Sequence, residues 1–187
     1  MSTETNPPAP GNLEIVRGFL NTWQIPNSTR KETDHLTAKS DLIAFTQKFM
    51  AGYKITEIED LEQVTRLRSD LRESITTKDM HKINKWLDTY PFRIELSTSG
   101  EKGTPKVSYK SNNSFCSLIL VMALDSVVEG SWERLKACPD CQWVFYDHSR
   151  NKSKVWCGMY AKSKDGRACG TIAKVNRWRE KQKGKTT

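Results

Sequence analysis

Four of the five cysteines, Cys138, Cys141, Cys157 and Cys169, fall after residue 137. In Cys138-Pro139-Asp140-Cys141 two thiolates two residues apart can grip one ion while the backbone amides between them turn toward the sulfurs. A second pair follows at a separation suited to a short hairpin, which favours metal over a redox disulfide between Cys138 and Cys141. The chemistry expected is one structural Zn2+ held by these four cysteines, closed to substrate, replacing a core that so few residues cannot build. His148 is a weaker ligand candidate, since it falls in an expected turn and reads as solvated. The fifth cysteine, Cys116, lies in the apolar run Phe115-Cys116-Ser117-Leu118-Ile119-Leu120 and reads as a small buried hydrophobe.

The elements that must position these thiols follow from local patterning. Trp132 to Leu135 reads as a short helical link to the first cysteine. Trp143-Val144-Phe145-Tyr146 reads as a strand, His148 to Lys152 as a turn and Val155-Trp156 as a return strand into Cys157. Cys169 opens a final helix. Knuckle, hairpin and helix together make a treble-clef-like module over residues 131–187. On a helical wheel Ile172, Val175 and Trp178 share one sector as an apolar seat, with Lys174, Arg177, Lys181 and Lys185 opposite.

Charge is distributed as unevenly as cysteine. Residues 1–130 hold 16 Lys and Arg against 17 Asp and Glu, whereas residues 131–187 hold 14 against 5. Four thiolates and one zinc reduce the module from +9 to about +7, so it stays basic. Such a segment concentrates polyanions. The cations expected on nucleic acid are Arg150, Lys152 and Lys154 in the hairpin and Lys174, Arg177, Arg179 and Lys181 in the last helix, with more charge from Lys162, Lys164 and Arg167. Trp143, Tyr146, Trp156, Tyr160 and Trp178 offer aromatic faces for single-strand or RNA binding, or else serve as core.

Upstream, residues 1–12 carry Pro7, Pro8, Pro10 and Gly11 and read as a disordered lead-in. Residues 13–130 read as a mainly helical domain. Ser40 is the expected cap of a helix bearing Leu42, Phe45 and Phe49. Thr56 and Glu59 form a capping-box pattern before Leu61, Val64, Leu67, Leu71 and Ile75. A third helix carries Met80, Ile83 and Leu87 and stops before Pro91. Alternation in Phe92-Arg93-Ile94-Glu95-Leu96 and again at Val107 and Tyr109 predicts a β-hairpin over about 92–110. The apolar stretch from Ser114 to Glu129 predicts the central helix. The fold class is α+β.

Several functions are disfavoured. The most apolar run is too short to span about 30 Å of hydrocarbon, and Met1 to Asn12 lacks the pattern of a secretory signal, so a cytoplasmic protein without membrane contact is expected. His35, His81 and His148 are isolated, and neither a nucleophile motif nor a phosphate-binding glycine loop is present, so no enzyme is expected.

The run from Arg134 to Asn151, with Trp156-Cys157-Gly158-Met159 after it, resembles the CGNR zinc-finger family, in which a domain called ABATE precedes the finger. The N-terminal resemblance rests on Phe19-Leu20-Asn21-Thr22-Trp23 and the helix-rich order that follows. Two departures fall at the family signature: Gly158 to Ala168 reads as an insertion, and Cys169-Gly170-Thr171-Ile172 stands where the signature has Cys-Gly-Asn-Arg. The resemblance implies a stress-induced, DNA-binding transcription regulator of the bacterial cytoplasm, located at the nucleoid when bound, whose N-terminal domain senses a ligand or mediates association. RNA or single-strand binding is the first alternative. The second is a small-ligand sensor whose finger binds protein, with Asn21, Thr22 and Trp23 as pocket candidates. A homodimer would match two-fold DNA sites.

Overall fold

A computed structural model describes residues 7–99, 103–158 and 168–183. The chain forms two compact units that are not consecutive in sequence. One comprises Met1–His35 with Glu133–Thr187, and the other is Leu36–Trp132. A division at residue 130 therefore describes the molecule incompletely, because residues 13–35 belong to the unit that holds the cysteines.

Helix α1, Leu13–Leu20, buries Leu13, Val16, Phe19 and Leu20 at helical spacing. Residues 7–12 are not a disordered lead-in, since Ala9 is buried and its amide donates to Glu14 Oε2 at 2.7 Å. Residues 1–6 lie outside the described residues. Glu14 also accepts from Arg17 Nε at 2.8 Å. Strands β1, Trp23–Gln24, and β2, Thr33–Asp34, form a small antiparallel ribbon.

In the unit Leu36–Trp132, helix α2 spans Lys39–Phe49. Ser40 lies inside it rather than capping it. Asp41 reaches back instead, and its Oδ2 accepts the amides of Thr37 and Ala38 and the Thr37 hydroxyl, each at 2.9 Å. The Thr37 amide above all, then its hydroxyl and the Ala38 amide, hold the Asp41 carboxyl below the usual range. A carboxylate also suits the positive end of the helix dipole. Helix α3, Leu61–Thr77, buries Val64, Leu67, Leu71 and Ile75, and ends at left-handed Lys78. Helix α4, His81–Thr89, buries Ile83 and Trp86, and the Trp86 indole donates to Asp70 at 2.8 Å.

Strands β3, Arg93–Ser99, and β4, Thr104–Lys110, form the expected hairpin, with Ile94 opposite Tyr109 and Leu96 opposite Val107. Helix α5, Phe115–Val128, is the apolar centre, with Phe115, Cys116, Ile119 and Leu120 buried. Burial first, and then the nearby Glu59 carboxylate, push the Cys116 thiol up, as suits an inert core thiol. Thr56 and Glu59 do not form a reciprocal box ahead of α3. Both carboxylate oxygens of Glu59 lie 3.2 Å from the Cys116 amide, and the Thr56 hydroxyl donates to the Asn112 carbonyl at 2.6 Å. A buried helix start must find acceptors for its first amides, and α5 draws Glu59 to that use while Ser114 receives the Ser117 amide.

After a single 3-10 turn, Trp132–Arg134, the chain enters β5, Leu135–Ala137. Strand β5 pairs antiparallel with β6, Val144–Tyr146, and helix α6 spans Cys169–Lys183. The pairing corrects the expected hairpin, because the partner of residues 144–146 lies before the knuckle, and Val155-Trp156 is not a strand.

Candidate metal centre and basic surface

Strands β5 and β6 flank the knuckle and hold its ends. The Cys138 amide donates to the Trp143 carbonyl at 2.9 Å, and the Gln142 amide to the Cys138 carbonyl at 2.8 Å. Gln142 takes the left-handed conformation, φ 59°, that reverses the chain after the second cysteine. Cys157 arrives from the loop after β6, and Cys169 from the first turn of α6.

The four sulfurs all lie within 4.8 Å of one another. Cys141 Sγ is 3.4 Å from Cys157 Sγ, which is 3.7 Å from Cys169 Sγ. A zinc ion bonded to four sulfurs at about 2.3 Å sets them about 3.8 Å apart along the edges of a tetrahedron, whereas a disulfide needs about 2.05 Å. The donor set therefore fits one zinc ion. Phe145 is buried in the same cluster, with Trp143 and Trp156 packed against it.

Electrostatics point the same way. Hydrogen bonds from Cys141, then Cys157 and Cys169, hold the Cys138 thiol far down. Cys138 opposes ionisation of Cys141, but Cys157 and Cys169 outweigh it and keep Cys141 low as well. Cys138 first, and then Cys141, push Cys157 and Cys169 up. Four thiols at this range cannot all ionise by themselves, and a divalent cation removes the conflict by taking all four as thiolates.

Asp147 is a polar hub that is not among the predicted site residues. It is 0% exposed, yet burial, which alone would raise its carboxyl, is outweighed by the Lys136 ammonium, the Ser149 hydroxyl and amide, and the Lys154 amide. The net result lies well below the usual carboxylate range. Lys136 Nζ donates to Oδ2 at 2.7 Å, the Ser149 amide to Oδ1 at 2.8 Å and the Lys154 amide to Oδ2 at 2.9 Å. Arg134 adds bonds to the Asp147 and Ser149 carbonyls, each at 2.9 Å. The Ser149 and Lys154 amides are thus spent on a side chain, which closes the chain between them into a loop ahead of Val155-Trp156. The signal was present in Arg134-Leu135-Lys136-Ala137, whose period of two sets cations on one face of a strand.

The N-terminal segment supplies further supports. Asn21 donates to the Val144 carbonyl and accepts the Val144 amide, both at 2.8 Å, so its amide group completes β6 as a strand partner would. The Thr22 hydroxyl donates to the Phe19 carbonyl at 2.6 Å. Both side chains are buried and bonded to backbone, and Trp23 lies half-buried in β1. Arg30 donates to the Asp140 carbonyl inside the knuckle at 2.8 Å. The exposed His148 meets the Pro8 carbonyl at 3.0 Å.

The predicted cations divide into two groups. Arg150 is exposed on the loop organised by Asp147, while Lys152 pairs with Glu133 and Lys154 lies 5.0 Å above the Phe145 ring. On α6, Lys174, Arg177, Arg179 and Lys181 are all exposed. Lys162, Lys164 and Arg167, most of the inserted loop, and Tyr160 and Lys185 lie outside the described residues. The expected apolar seat of α6 is covered only at its start. Ile172 is half-buried, but Val175 is 39% and Trp178 61% exposed. Beyond the turn fixed by Cys169, the helix runs into solvent on all sides.

Residues 134–182 match the family model CGNR zinc finger. No curated protein matches the chain. Among the described residues, no helix is long and apolar enough to cross a membrane.

Proposed function

Starting from a zinc finger of the CGNR type over residues 134–182, we propose that this protein is a DNA-binding transcription regulator. In this reading the finger unit contacts DNA and the Leu36–Trp132 unit, on its resemblance to ABATE, senses a ligand or mediates association. One observation carries the proposal: the whole formal charge of +8 belongs to the finger unit. That unit holds 17 Lys and Arg against 9 Asp and Glu, while Leu36–Trp132 holds 13 against 13.

Zinc has a structural part here, since four thiolates close its coordination shell and leave no position for substrate. With an ion bound, Cys169 would anchor the first turn of α6, and α6 presents Lys174, Arg177, Arg179 and Lys181 to phosphates, with Arg150 adding a cation from the Asp147 loop. No catalytic role is assigned to any residue. The proposed place of action is the bacterial cytoplasm, at the nucleoid.

Fluorescence anisotropy of a labelled duplex, at 50 and 200 mM salt, tests the reading. If four of these cations neutralise phosphates, affinity should fall on the order of a hundredfold between the two conditions. Absence of binding at 50 mM salt would overturn it.

A further inference from the structure

The exposed indole of α6 is unexplained by the finger fold. We propose that Trp178 is a stacking platform for an unpaired base, so that α6 takes single-stranded nucleic acid, or a strand opened locally, in preference to intact duplex. The inference rests on the reading of the finger unit as a nucleic-acid surface, and adds to it what kind of strand that surface accepts.

The argument begins with position. Along a helix the surface neighbours of residue 178 are three and four residues away. The basic side lies opposite the apolar sector at Ile172, but at Trp178, the edge of that sector, Lys174 and Lys181, both exposed, are neighbours on one flank, with Val175 and Gln182 on the other. At 1.5 Å per residue, Lys174 lies about 6 Å along the axis on one side of Trp178 and Lys181 about 4.5 Å on the other. A base stacked on the ring thus has a cation in each direction along its strand for the flanking phosphates. Arg177 and Arg179, also exposed, lie about 100° to either side around the helix and add charge to the same segment without facing the ring. Aromatic faces set among cations are the means by which proteins hold single strands without reading sequence.

Charge decides between possible occupants. A second copy packing α6 on α6 would bring Lys174, Arg177, Arg179 and Lys181 against the same four side chains, and like charges juxtaposed at an interface are strongly unfavourable. A polyanion meets the opposite situation. Intact duplex is the poorer polyanion for this site, because its bases are already stacked and one must be drawn out before it can meet the indole. Of the five aromatics singled out in the finger segment, Tyr146 is buried, Trp143 and Trp156 pack against the cysteine cluster, and Tyr160 lies outside the described residues. Trp178 is the one whose face the structure shows open to solvent.

The test uses the zinc-loaded full chain with a fluorescein-labelled twelve-nucleotide oligothymidine and a twelve-base-pair duplex at 50 mM salt. Wild type should bind the single strand more tightly. Trp178→Ala should weaken single-strand binding at least about fivefold while changing duplex binding by less than twofold, and Trp178→Phe should keep most of the affinity. Unchanged zinc content and circular dichroism establish that the variants are folded. Equal losses on both strands, or no loss on the single strand, would overturn the inference and leave duplex recognition standing. Failure of wild type to bind either nucleic acid would overturn this inference together with the reading it rests on, whereas absence of duplex binding alone would overturn that reading only.

Discussion

The two units of this chain, of similar size, solve stability by different means. Leu36–Trp132 is charge-balanced and built around a helix-rich apolar core in which Leu42, Val64, Leu67, Leu71, Phe115 and Ile119 are all fully buried. The finger unit also buries Val16, Phe19, Leu20, Leu135 and Phe145, but between β-ribbons of two and three residues per strand it adds a carboxylate hub and four thiols. Hydrophobic burial is spread over many side chains, so one deletion subtracts a part. Metal and hub concentrate their contribution in a few atoms, so one deletion removes most of it. That concentration leaves the rest of the finger surface open to carry positive charge.

Removing zinc should separate the units most sharply. A structural zinc contributes on the order of 10 to 16 kcal/mol to a small module, so a chelator or Cys169→Ser should unfold the finger unit. Hydrogen exchange should show protection lost in residues 7–35 and 133–158 and kept in Leu36–Trp132. Loss of protection in both units together would break the comparison. Metal analysis should give about one zinc per chain, absent from the Cys169→Ser variant.

Leu71→Ala makes the converse cut, costing about 3 to 5 kcal/mol through lost burial and a residual cavity. Urea unfolding should report it in the helical unit, with zinc content unchanged. Next comes Asp147→Asn, expected to destabilise the finger unit by about 3 kcal/mol, because the Lys136 ammonium loses its buried partner. Since the folded carboxyl titrates below its unfolded value near 3.9, its contribution is complete above that pH and is lost as pH falls further. The penalty should accordingly be the same at pH 6 and pH 8. A penalty that shrinks at pH 6 would mean that another group carries the effect.

Two smaller changes sharpen the account of the N-terminal segment. Asn21→Ala leaves the Val144 amide and carbonyl without their partner and should cost about 2 kcal/mol in thermal unfolding of the finger unit. Arg30→Ala should cost less than about 1 kcal/mol, since that side chain is partly exposed. If Arg30→Ala proved the more damaging, the knuckle rather than β6 would be the main anchor of this segment.

Much of this was legible because it is local. The thiols announce themselves by spacing, the β3–β4 hairpin by alternation and α5 by its apolar run. What escaped was long-range or competitive. Asn21 and Val144 stand 123 residues apart, and no periodicity links them. Thr56 and Glu59 match a capping box, yet the buried start of α5 makes the stronger demand on Glu59. The strand after the knuckle was visible, but its partner was not, because β6 pairs with Leu135–Ala137 on the other side of the knuckle. The apolar stripe of α6 predicts a seat, since such stripes usually face a core, yet Trp178 faces water.

The split composition of the finger unit sets an order of events during synthesis. Residues 1–35 leave the ribosome before Leu36–Trp132, but the last thiol of their unit lies at Cys169, 134 residues later. At about 5 to 20 residues per second, Leu13, Val16, Phe19 and Leu20 precede the last thiol by roughly 7 to 31 s. Leu36–Trp132 is complete well before that. Folding in the order of synthesis would complete Leu36–Trp132 before the four thiols can meet on one ion.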